Sequence, residues 1–246
     1  MTETLYVVIP AYNEEENIES VIKSWYPVLE GKSDASRVVV ADSGSTDRTH
    51  EILSKLQQEL PKLFILSSTG KFHGPKVIAL YEHAIKSGAD WIFQTDSDGQ
   101  TNPAEFDAFW NIREGLDGIF GNRSVRGDGL ARSLVEKVVC LLLKIYFGIR
   151  VPDANAPFRL MKAGTVNKYL HLMAPDYNLP NIMITAFFSF YDENVSFRQI
   201  SFKARQGGVN SINILKIMKI GWKALRDFSK FRKQMKRDAA NAKNNS

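Results

Sequence analysis

The sequence predicts an α/β protein whose mostly parallel β-sheet carries helices on both faces. From Leu5 to Asn122, short apolar runs of strand length alternate with longer amphipathic stretches of helix length. Parallel strands need crossover connections, which are usually helices, and such sheets are covered on both sides. In addition, several apolar runs end in polar clusters, as expected where the strands of such a sheet approach a ligand.

Each predicted element has its own signal. The predicted strands are "LYVVIP", "RVVVAD", "KLFILS", "DWIFQTD" and "LDGIFGN". The predicted helices between them are "EEENIESVIKSWYPVLE", "STDRTHEILSKLQQEL", "PKVIALYEHAIKSG" and "PAEFDAFWNIREG". Asn13 lies near the start of the first helix, and Ser45, Thr46 and Asp47 offer capping oxygens to the second. Gly88 ends the third helix, and a proline begins the fourth.

After Asn122 the pattern changes. The stretches "ARSLVEKVVCLLLKIYFG" and "NLPNIMITAFFSFYDEN" predict apolar helices, and "VSFRQISFKAR" alternates like a strand. We predict one main domain over residues 1–210, a basic amphipathic helical region over 211–237 and a disordered tail over 238–246. No internal repeat or glycine-rich linker divides the main domain.

Length and composition exclude several classes of protein. A chain of 246 residues can bury a substantial core, and its single cysteine, Cys140, excludes a disulfide framework or a cysteine-rich zinc site. The start "MTETLYVVIP" lacks the basic and long apolar parts of a secretory signal. No apolar stretch approaches the ~20 residues needed to cross a bilayer. We therefore expect a cytoplasmic protein that meets a membrane, if at all, peripherally at its inner face.

The net charge of +5 is concentrated near the carboxyl end. Between Ser211 and Arg237 there are nine lysines or arginines and a single acid, Asp227. Apolar residues recur among them at three- and four-residue steps, at Leu215, Met218, Trp222 and Leu225. Two interpretations stay open: a helix packed on the domain, or an interfacial helix on an anionic membrane. We expect no nucleic-acid partner.

Three polar clusters follow predicted strands and should meet at one rim of the sheet, namely residues 10–14, 41–45 and 96–100. In the third, Asp96, Asp98 and Gln100 present hard oxygen atoms at alternate positions. Such oxygens suit Mg²⁺ or Mn²⁺, whereas without a cation the two carboxylates would repel each other. The alternative is a turn in which these side chains accept local hydrogen bonds. Neither a P-loop nor a dinucleotide-binding glycine motif is present.

The order of these motifs resembles family 2 glycosyltransferases. The motifs that carry the resemblance are "VVIPAYNEEENI", "ADSGSTDRT", "DWIFQTDSDGQ" and "DGIFGNR". Together with "DANAPFRLMK" and "ARQGG", the last of them is similar to the branch that makes polyprenyl-phosphate sugars, such as dolichyl-phosphate mannose synthase. The resemblance spans about Leu5 to Asn210. It implies a Rossmann-like, GT-A type nucleotide-sugar transferase fold and an enzyme.

The resemblance also implies roles for single residues. The donor nucleotide would be bound by Pro10, Tyr12, Glu14, Asp42 and Lys76. The metal, Mg²⁺ or Mn²⁺, would be held against the donor diphosphate by Asp96, Asp98 and Gln100. The acceptor phosphate would be bound by Arg123 and Arg132, and Arg205 would return over the diphosphate. Asp98, Arg123 and Arg205 would thus be the catalytic residues. The alternative for each arginine is an ion pair within the protein.

The resemblance further implies inversion by a single displacement, with a nucleoside-diphosphate sugar as donor and a polyprenyl phosphate as acceptor. A phosphate monoester has its second pKa near 6 and arrives largely deprotonated, so it needs no general base. A hydroxyl acceptor on a surface glycan would need one, and Asp153 or Asp176 could serve. Glu136 stands where the phosphate-binding branch often has serine, and its carboxylate would repel an anionic acceptor. A third possibility is a nucleotide-sugar-binding protein without turnover.

Overall fold

The structure, a computed structural model, describes residues 2–67, 69–126, 130–203 and 224–237. Its strands are β1 (Leu5–Ala11), β2 (Arg37–Asp42), β3 (Leu63–Leu66), β4 (Trp91–Thr95), β5 (Gly118–Arg126), β6 (Phe158–Lys162) and β7 (Val195–Phe202). Its helices are α1 (Ile18–Trp25), α2 (Thr49–Glu59), α3 (His73–Lys86), α4 (Phe106–Trp110), α5 (Leu130–Phe147), α6 (Ala163–Leu170), α7 (Pro180–Phe190) and α8 (224–237).

All the strands belong to one sheet of order β3-β2-β1-β4-β6-β5-β7. Neighbouring strands are parallel except at β6, which runs antiparallel to both β4 and β5. The prediction of a mostly parallel sheet is therefore confirmed. Because β1 lies between β2 and β4, the loops that follow these three strands emerge side by side at one rim.

The two faces of the sheet bury separate cores, as the two-residue period of β1 requires. Leu5, Val7 and Ile9 pack on the face covered by α1, α2 and α4. Tyr6 and Val8 pack on the opposite face, with side chains from the helices α3, α5, α6, α7 and α8. Helices thus lie on both faces, as predicted. Among the described residues, no helix is both long and apolar enough to cross a bilayer.

Two predicted helices are shorter than the sequence pattern indicated. The first begins only at Ile18 and passes into a 3-10 turn at Tyr26–Leu29, which contains a proline. The fourth is reduced to a 3-10 turn at Pro103–Glu105 and the five residues of α4. The ring of a proline fixes φ and removes a donor, so each proline favours a tight turn over a longer regular helix.

The sequence pattern also missed β6, which is the second half of the motif "DANAPFRLMK", and α6, which follows this motif. Arg159, the second residue of this interior strand, hides the apolar run expected of a buried strand. Arg159 is completely buried, and its guanidinium donates to the backbone carbonyls of Ala154, Ala156 and Asn181. It therefore fixes the loop before β6 to the start of α7.

The start of α3 is held close to the loop before α7 by a glycine. A Cβ atom added to Gly74 would lie 2.2 Å from the carbonyl oxygen of Tyr177, so no larger residue fits there without movement. The first turns of α3 carry His73 and Lys76, both of which reach the rim of the sheet. The glycine thereby helps to position the rim residues of α3.

Candidate active site

The turn after β1 is tied to the turn after β2 by hydrogen bonds. Asn13, at a left-handed φ of 53°, donates its backbone N–H to Ser45 Oγ at 3.1 Å and accepts from the N–H of Thr46 at 2.8 Å. The N–H of Glu14 donates to Thr49 Oγ1 at 2.8 Å. Ser45 and Thr46 therefore join the two rim clusters, and the prediction that they cap α2 was wrong.

Asp47 alone keeps part of the predicted capping role. One of its carboxylate oxygens accepts from the backbone N–H of Thr49 at 3.0 Å, while the other accepts from the N–H of Glu15 at 3.1 Å. These bonds contribute to lowering the pKa of Asp47 below its usual range, although burial opposes them and is the largest single influence. Asp47 thus joins α2 to the turn after β1.

Tyr12 lies at this rim between two lysines. The Nζ atom of Lys71, which is exposed, is 5.5 Å from the centre of the Tyr12 ring, and that of Lys76, which is buried, is 5.1 Å away. Lys76 donates to the backbone carbonyl of Ala11 at the end of β1. Burial lowers the pKa of Lys76 to about 8, although the charge of Asp42 opposes this shift. The hydrogen bond of Lys76 therefore holds the end of β1, where the first rim cluster lies.

The two acids predicted to contact the nucleotide are both buried. Asp42 pairs with Ala11 across the sheet and accepts from Ser45 Oγ at 2.5 Å, and its other oxygen lies 3.1 Å from His50 Nδ1. Glu14 accepts from Asn17 Nδ2 at 3.0 Å. Carboxylates held in this way have fixed orientations, as a site that reads a base or a ribose requires.

The third rim cluster lies beside the first. Ser97 Oγ donates to the carbonyl of Pro10 at 2.9 Å, which joins the turn after β4 to the end of β1. Asp98 accepts from the backbone N–H of Gln100 at 3.2 Å, so the local turn predicted as the alternative is present. Asp96 is partly exposed and lies 3.3 Å from His73 Nε2. The structure thus brings together the clusters that the sequence placed at one rim.

Gln100 occupies a different setting from the two aspartates. Its side chain is buried, and the side-chain Nε2 donates to the backbone carbonyl of Lys203 at 2.6 Å. In return, the backbone N–H of Lys203 donates to the backbone carbonyl of Gln100 at 2.9 Å. The chain that follows β7 is thereby fixed beside the aspartates. Arg205 follows two residues later and lies outside the described residues.

The chemistry of this cluster suits a divalent cation. Asp96 and Asp98 are hard oxygen ligands, and Mg²⁺ is commonly held by one or two carboxylates together with waters and substrate phosphates. Within the described ranges, no three His, Cys, Asp or Glu side chains are grouped to hold a metal on their own. A cation bound by Asp96 and Asp98 would take its remaining ligands from waters, from other oxygen atoms or from a substrate phosphate.

Arg123, predicted to bind the acceptor, is engaged in a buried ion pair. Its Nε and Nη2 atoms donate to the two carboxylate oxygens of Asp153 at 2.8 and 2.9 Å, and Nη2 also lies 3.3 Å from Glu136 Oε2. The guanidinium is 5.1 Å from the ring centre of Phe202. The ion pair named as the alternative for this residue is thus present. Acceptor binding would require Arg123 to share or exchange a carboxylate.

The two acids around Arg123 differ in their protonation behaviour. Burial raises the pKa of Glu136, and the charge of Asp153 raises it further. Burial also acts to raise the pKa of Asp153, but the hydrogen bonds and charge of Arg123 outweigh it, so that pKa lies below its usual range. Glu136 Oε1 accepts from the N–H of Ala154 at 2.7 Å and contacts Cys140 Sγ at 3.5 Å.

Arg132 lies in the first turn of α5, and the structure describes only its backbone. Lys71 and His73 were missed as rim residues because only the loops after β1, β2 and β4 were considered. Lys71 lies between β3 and α3, and His73 is the first residue of α3, so both follow the carboxyl end of β3. Ligands bind beyond the carboxyl ends of parallel strands, so the position of both residues after the predicted strand "KLFILS" is the signal that identifies them.

Comparisons with known proteins identify the family and the fold of the chain. Residues 6–163 match the family model described as "Glycosyl transferase family 2". A protein of Salmonella choleraesuis described as undecaprenyl-phosphate 4-deoxy-4-formamido-L-arabinose transferase is 28% identical over 165 residues, which are 67% of this chain and 50% of that protein. A protein of Salmonella paratyphi B with the same description is 27% identical with the same coverage. The chain therefore spans about half the length of these relatives.

Solved structures with the same fold include glucosyl-3-phosphoglycerate synthase of Mycobacterium tuberculosis in complex with Mn²⁺, UDP-glucose and glycerol 3-phosphate. It is 21% identical, with a TM-score of 0.66, and the match covers 94% of this chain and 80% of that one. Its complex with UDP matches 84% and 73%, at 22% identity and a TM-score of 0.62. The GT-A type fold is thus confirmed, and the chain belongs to glycosyl transferase family 2.

Proposed function

We propose that this chain is a glycosyltransferase that moves a sugar from a nucleoside diphosphate to a polyprenyl phosphate, with inversion in a single displacement. The choice of acceptor rests on the hydrogen bonds and the pKa of Asp153. Both of its oxygens are taken by Arg123 and by backbone N–H groups of Arg123 and Asn155. A carboxylate in this setting, with a lowered pKa, is a poor general base. A phosphate monoester acceptor needs none.

The donor half of the proposal rests on the rim clusters. Tyr12 and Asp42 would hold the base and ribose, and Lys71 and His73 lie where they can meet the diphosphate. A divalent cation bound by Asp96 and Asp98 would supply charge stabilisation to the departing phosphate. The relatives named for an undecaprenyl-phosphate transferase support a polyprenyl phosphate as acceptor. Metal dependence, inversion and a location at the cytoplasmic face of a membrane are parts of this proposal.

A second candidate acceptor is a glycan hydroxyl, which Glu136 specifically favours. Its carboxylate lies beside Arg123, and its raised pKa brings it closer to the range in which general bases work. In the first candidate the same carboxylate opposes the acceptor, because it competes with phosphate for Arg123. One substitution at this position therefore separates the two functions.

Glu136→Gln keeps the size of the side chain and an oxygen for the N–H of Ala154, but removes the charge. If the acceptor is a phosphate, we expect the KM for undecaprenyl phosphate to fall about fivefold with little change in kcat, because a like charge near the acceptor is removed. If it is a hydroxyl and Glu136 is the base, kcat should fall about a hundredfold or more. Loss of kcat with the lipid phosphate would contradict the first candidate.

The donor is tested separately by thermal unfolding with UDP, GDP and their common sugars, each with and without Mn²⁺. A ligand that binds only the folded state raises the Tm by mass action. We expect one nucleotide to give a shift that depends on Mn²⁺, and that nucleotide identifies the donor. If none of them raises the Tm, the rim clusters do not form a nucleotide-sugar site.

A further inference from the structure

Helix α5 exposes an apolar stripe to solvent. Four large apolar side chains recur at steps of four, three and four residues and therefore lie on one face of the helix. They are Leu134, Val138, Leu141 and Ile145, with 64, 48, 54 and 60% of their surface exposed. The opposite face packs Leu143 and Phe147 into the core. A helix that is apolar on both faces is expected to be buried on both.

The surroundings of the stripe are basic. The one acid of α5, Glu136, points inward to Arg123, so it leaves no negative charge on the outer face of the helix. Lys137 and Lys144 are exposed and share one edge of the stripe, because they are seven residues apart. An exposed apolar face with lysines along one edge and no acid of the same helix beside it is the pattern of a helix that lies in the plane of an anionic membrane.

Helix α8 adds a second basic surface next to α5. It packs through Phe228, whose ring centre is 5.6 Å from that of Phe147 and 6.0 Å from that of Tyr146. Its outer face carries exposed cations at the same four, three and four spacing, namely Arg226, Lys230, Lys233 and Arg237. Each basic residue near an anionic bilayer contributes about 1 kcal/mol to binding. Helix α8 thus packs directly on α5 and adds exposed cations.

We propose that the outer face of α5, with the basic face of α8 beside it, binds the surface of an anionic lipid bilayer. The stripe would enter the boundary between headgroups and acyl chains, and the lysines and arginines would meet the anionic headgroups. Charge complementarity favours this occupant over a second copy of the chain, which would bring the same positive charge to the contact.

This surface is connected to the candidate active site through α5 itself. Glu136 on the inner face touches Arg123, while Leu134 and Val138 on either side of it face outward. The lipid part of an acceptor would then lie in the bilayer on the outer side of α5. Its phosphate would have to pass only this helix to reach Arg123. The inference extends the proposed function, but membrane binding is measured without sugar transfer, so either can fail alone.

The test is flotation of the full chain with phosphatidylcholine vesicles that contain about one third phosphatidylglycerol. Leu141→Asp places a carboxylate in the stripe, and we expect it to weaken binding about tenfold or more, because apolar burial is lost and charge repulsion is gained. Lys230→Glu combined with Lys233→Glu should weaken binding to these vesicles about tenfold or more and leave binding to pure phosphatidylcholine unchanged.

Gln58→Asp is the matched control, because it adds the same charge at an exposed position on α2. It should bind vesicles like the unaltered chain, and all variants should keep its Tm because the changed residues are exposed. The proposal is overturned if the unaltered chain does not bind, or if Leu141→Asp binds equally well. It is also overturned if the chain self-associates without lipid and Leu141→Asp abolishes that association, since a second copy would then cover the stripe.

Discussion

The rim after β1, β2 and β4 and the region around Arg123 differ in how far their charged side chains are exposed and paired. At the rim, Asp96 is partly exposed, and its partner in the structure is the exposed His73. Around Arg123, the three charged side chains are almost fully buried, with exposures of 6% for Arg123, 12% for Glu136 and 3% for Asp153. The rim thus leaves Asp96 and Asp98 partly accessible to a ligand although Glu14 and Asp42 are buried, whereas the Arg123 region buries its charges and pairs them with one another.

This difference has a consequence for substrate binding. A cation and a nucleoside diphosphate can reach the rim without breaking a buried ion pair. A phosphate that approaches Arg123 has to compete with two carboxylates that are already in contact with it. We therefore expect ligand binding at the rim to depend on the charge of the ligand. Binding of a phosphate at Arg123 should instead depend on how readily the phosphate replaces a carboxylate there.

The largest expected effect is on the rim side. Asp98→Asn keeps an oxygen but removes the charge that would hold a divalent cation, so we expect sugar transfer to fall about a thousandfold. Nucleotide binding should survive in part, because Tyr12 and Asp42 are untouched. The measurements are product formation per enzyme and the nucleotide-induced rise in Tm, with and without Mn²⁺.

Asp107→Asn is the matched control, since Asp107 is an exposed acid in the first turn of α4. It should leave transfer unchanged within twofold or so, because surface substitutions away from special features have small effects. Transfer by Asp98→Asn at the rate of the control would mean that the rim does not need its charge, and the contrast between the two regions would fail.

The next effect, on stability, concerns the Arg123 side. Asp153→Asn removes the carboxylate that makes two hydrogen bonds to the buried guanidinium of Arg123, and we expect a loss of about 3 kcal/mol in the free energy of unfolding at neutral pH. Because the pKa of Asp153 is lowered in the folded state, its contribution is present above its unfolded pKa and is lost as the pH falls through the folded value. The difference between variant and unaltered chain should therefore shrink below about pH 4.

Denaturant unfolding at neutral and acidic pH measures this difference. Asp34→Asn, at a fully exposed position, serves as the control and should change stability by less than about 0.5 kcal/mol. An Asp153→Asn variant as stable as the control at neutral pH would show that the buried pair contributes no net stability. The two regions would then differ in geometry alone.

The sequence predicted the rim side far better than the Arg123 side. Residues 10–14, 41–45 and 96–100 each follow a strand that the pattern identifies, and parallel strands bring their ends together whatever the details of packing. The Arg123 side depends on β6, which the pattern missed, and on a contact between Glu136 and residues 18 positions away at Ala154. No local period encodes such a contact.

Partner choice is also hidden from sequence. The sequence offers the ion pair around Arg123 only as an alternative, because a guanidinium suits a carboxylate and a phosphate equally well. Similarly, Ser45 and Thr46 have the composition of a helix cap, yet the left-handed Asn13 competes for their oxygens and N–H groups. Residue type narrows the chemistry, and tertiary contact decides which partner is bound.

The smallest expected effect is on the pH dependence of stability, and it tests whether the ammonium group of Lys76 is buried at the rim. The pKa of Lys76 is about 8 in the folded chain and near 10.5 when unfolded, so between these values the unfolded state binds more protons. Stability should therefore rise with pH relative to Lys76→Met, by about 2 kcal/mol between about pH 8 and pH 10. Denaturant unfolding of both proteins at about pH 8 and pH 10 measures the difference, and subtracting the variant removes the titration of tyrosines and Cys140. If the two proteins respond equally, Lys76 is not desolvated, and the rim does not hold a buried positive charge below Tyr12. In that case the rim buries the carboxylates of Glu14 and Asp42 but no desolvated cation, whereas the Arg123 region buries both signs of charge, and the contrast between the two regions becomes sharper.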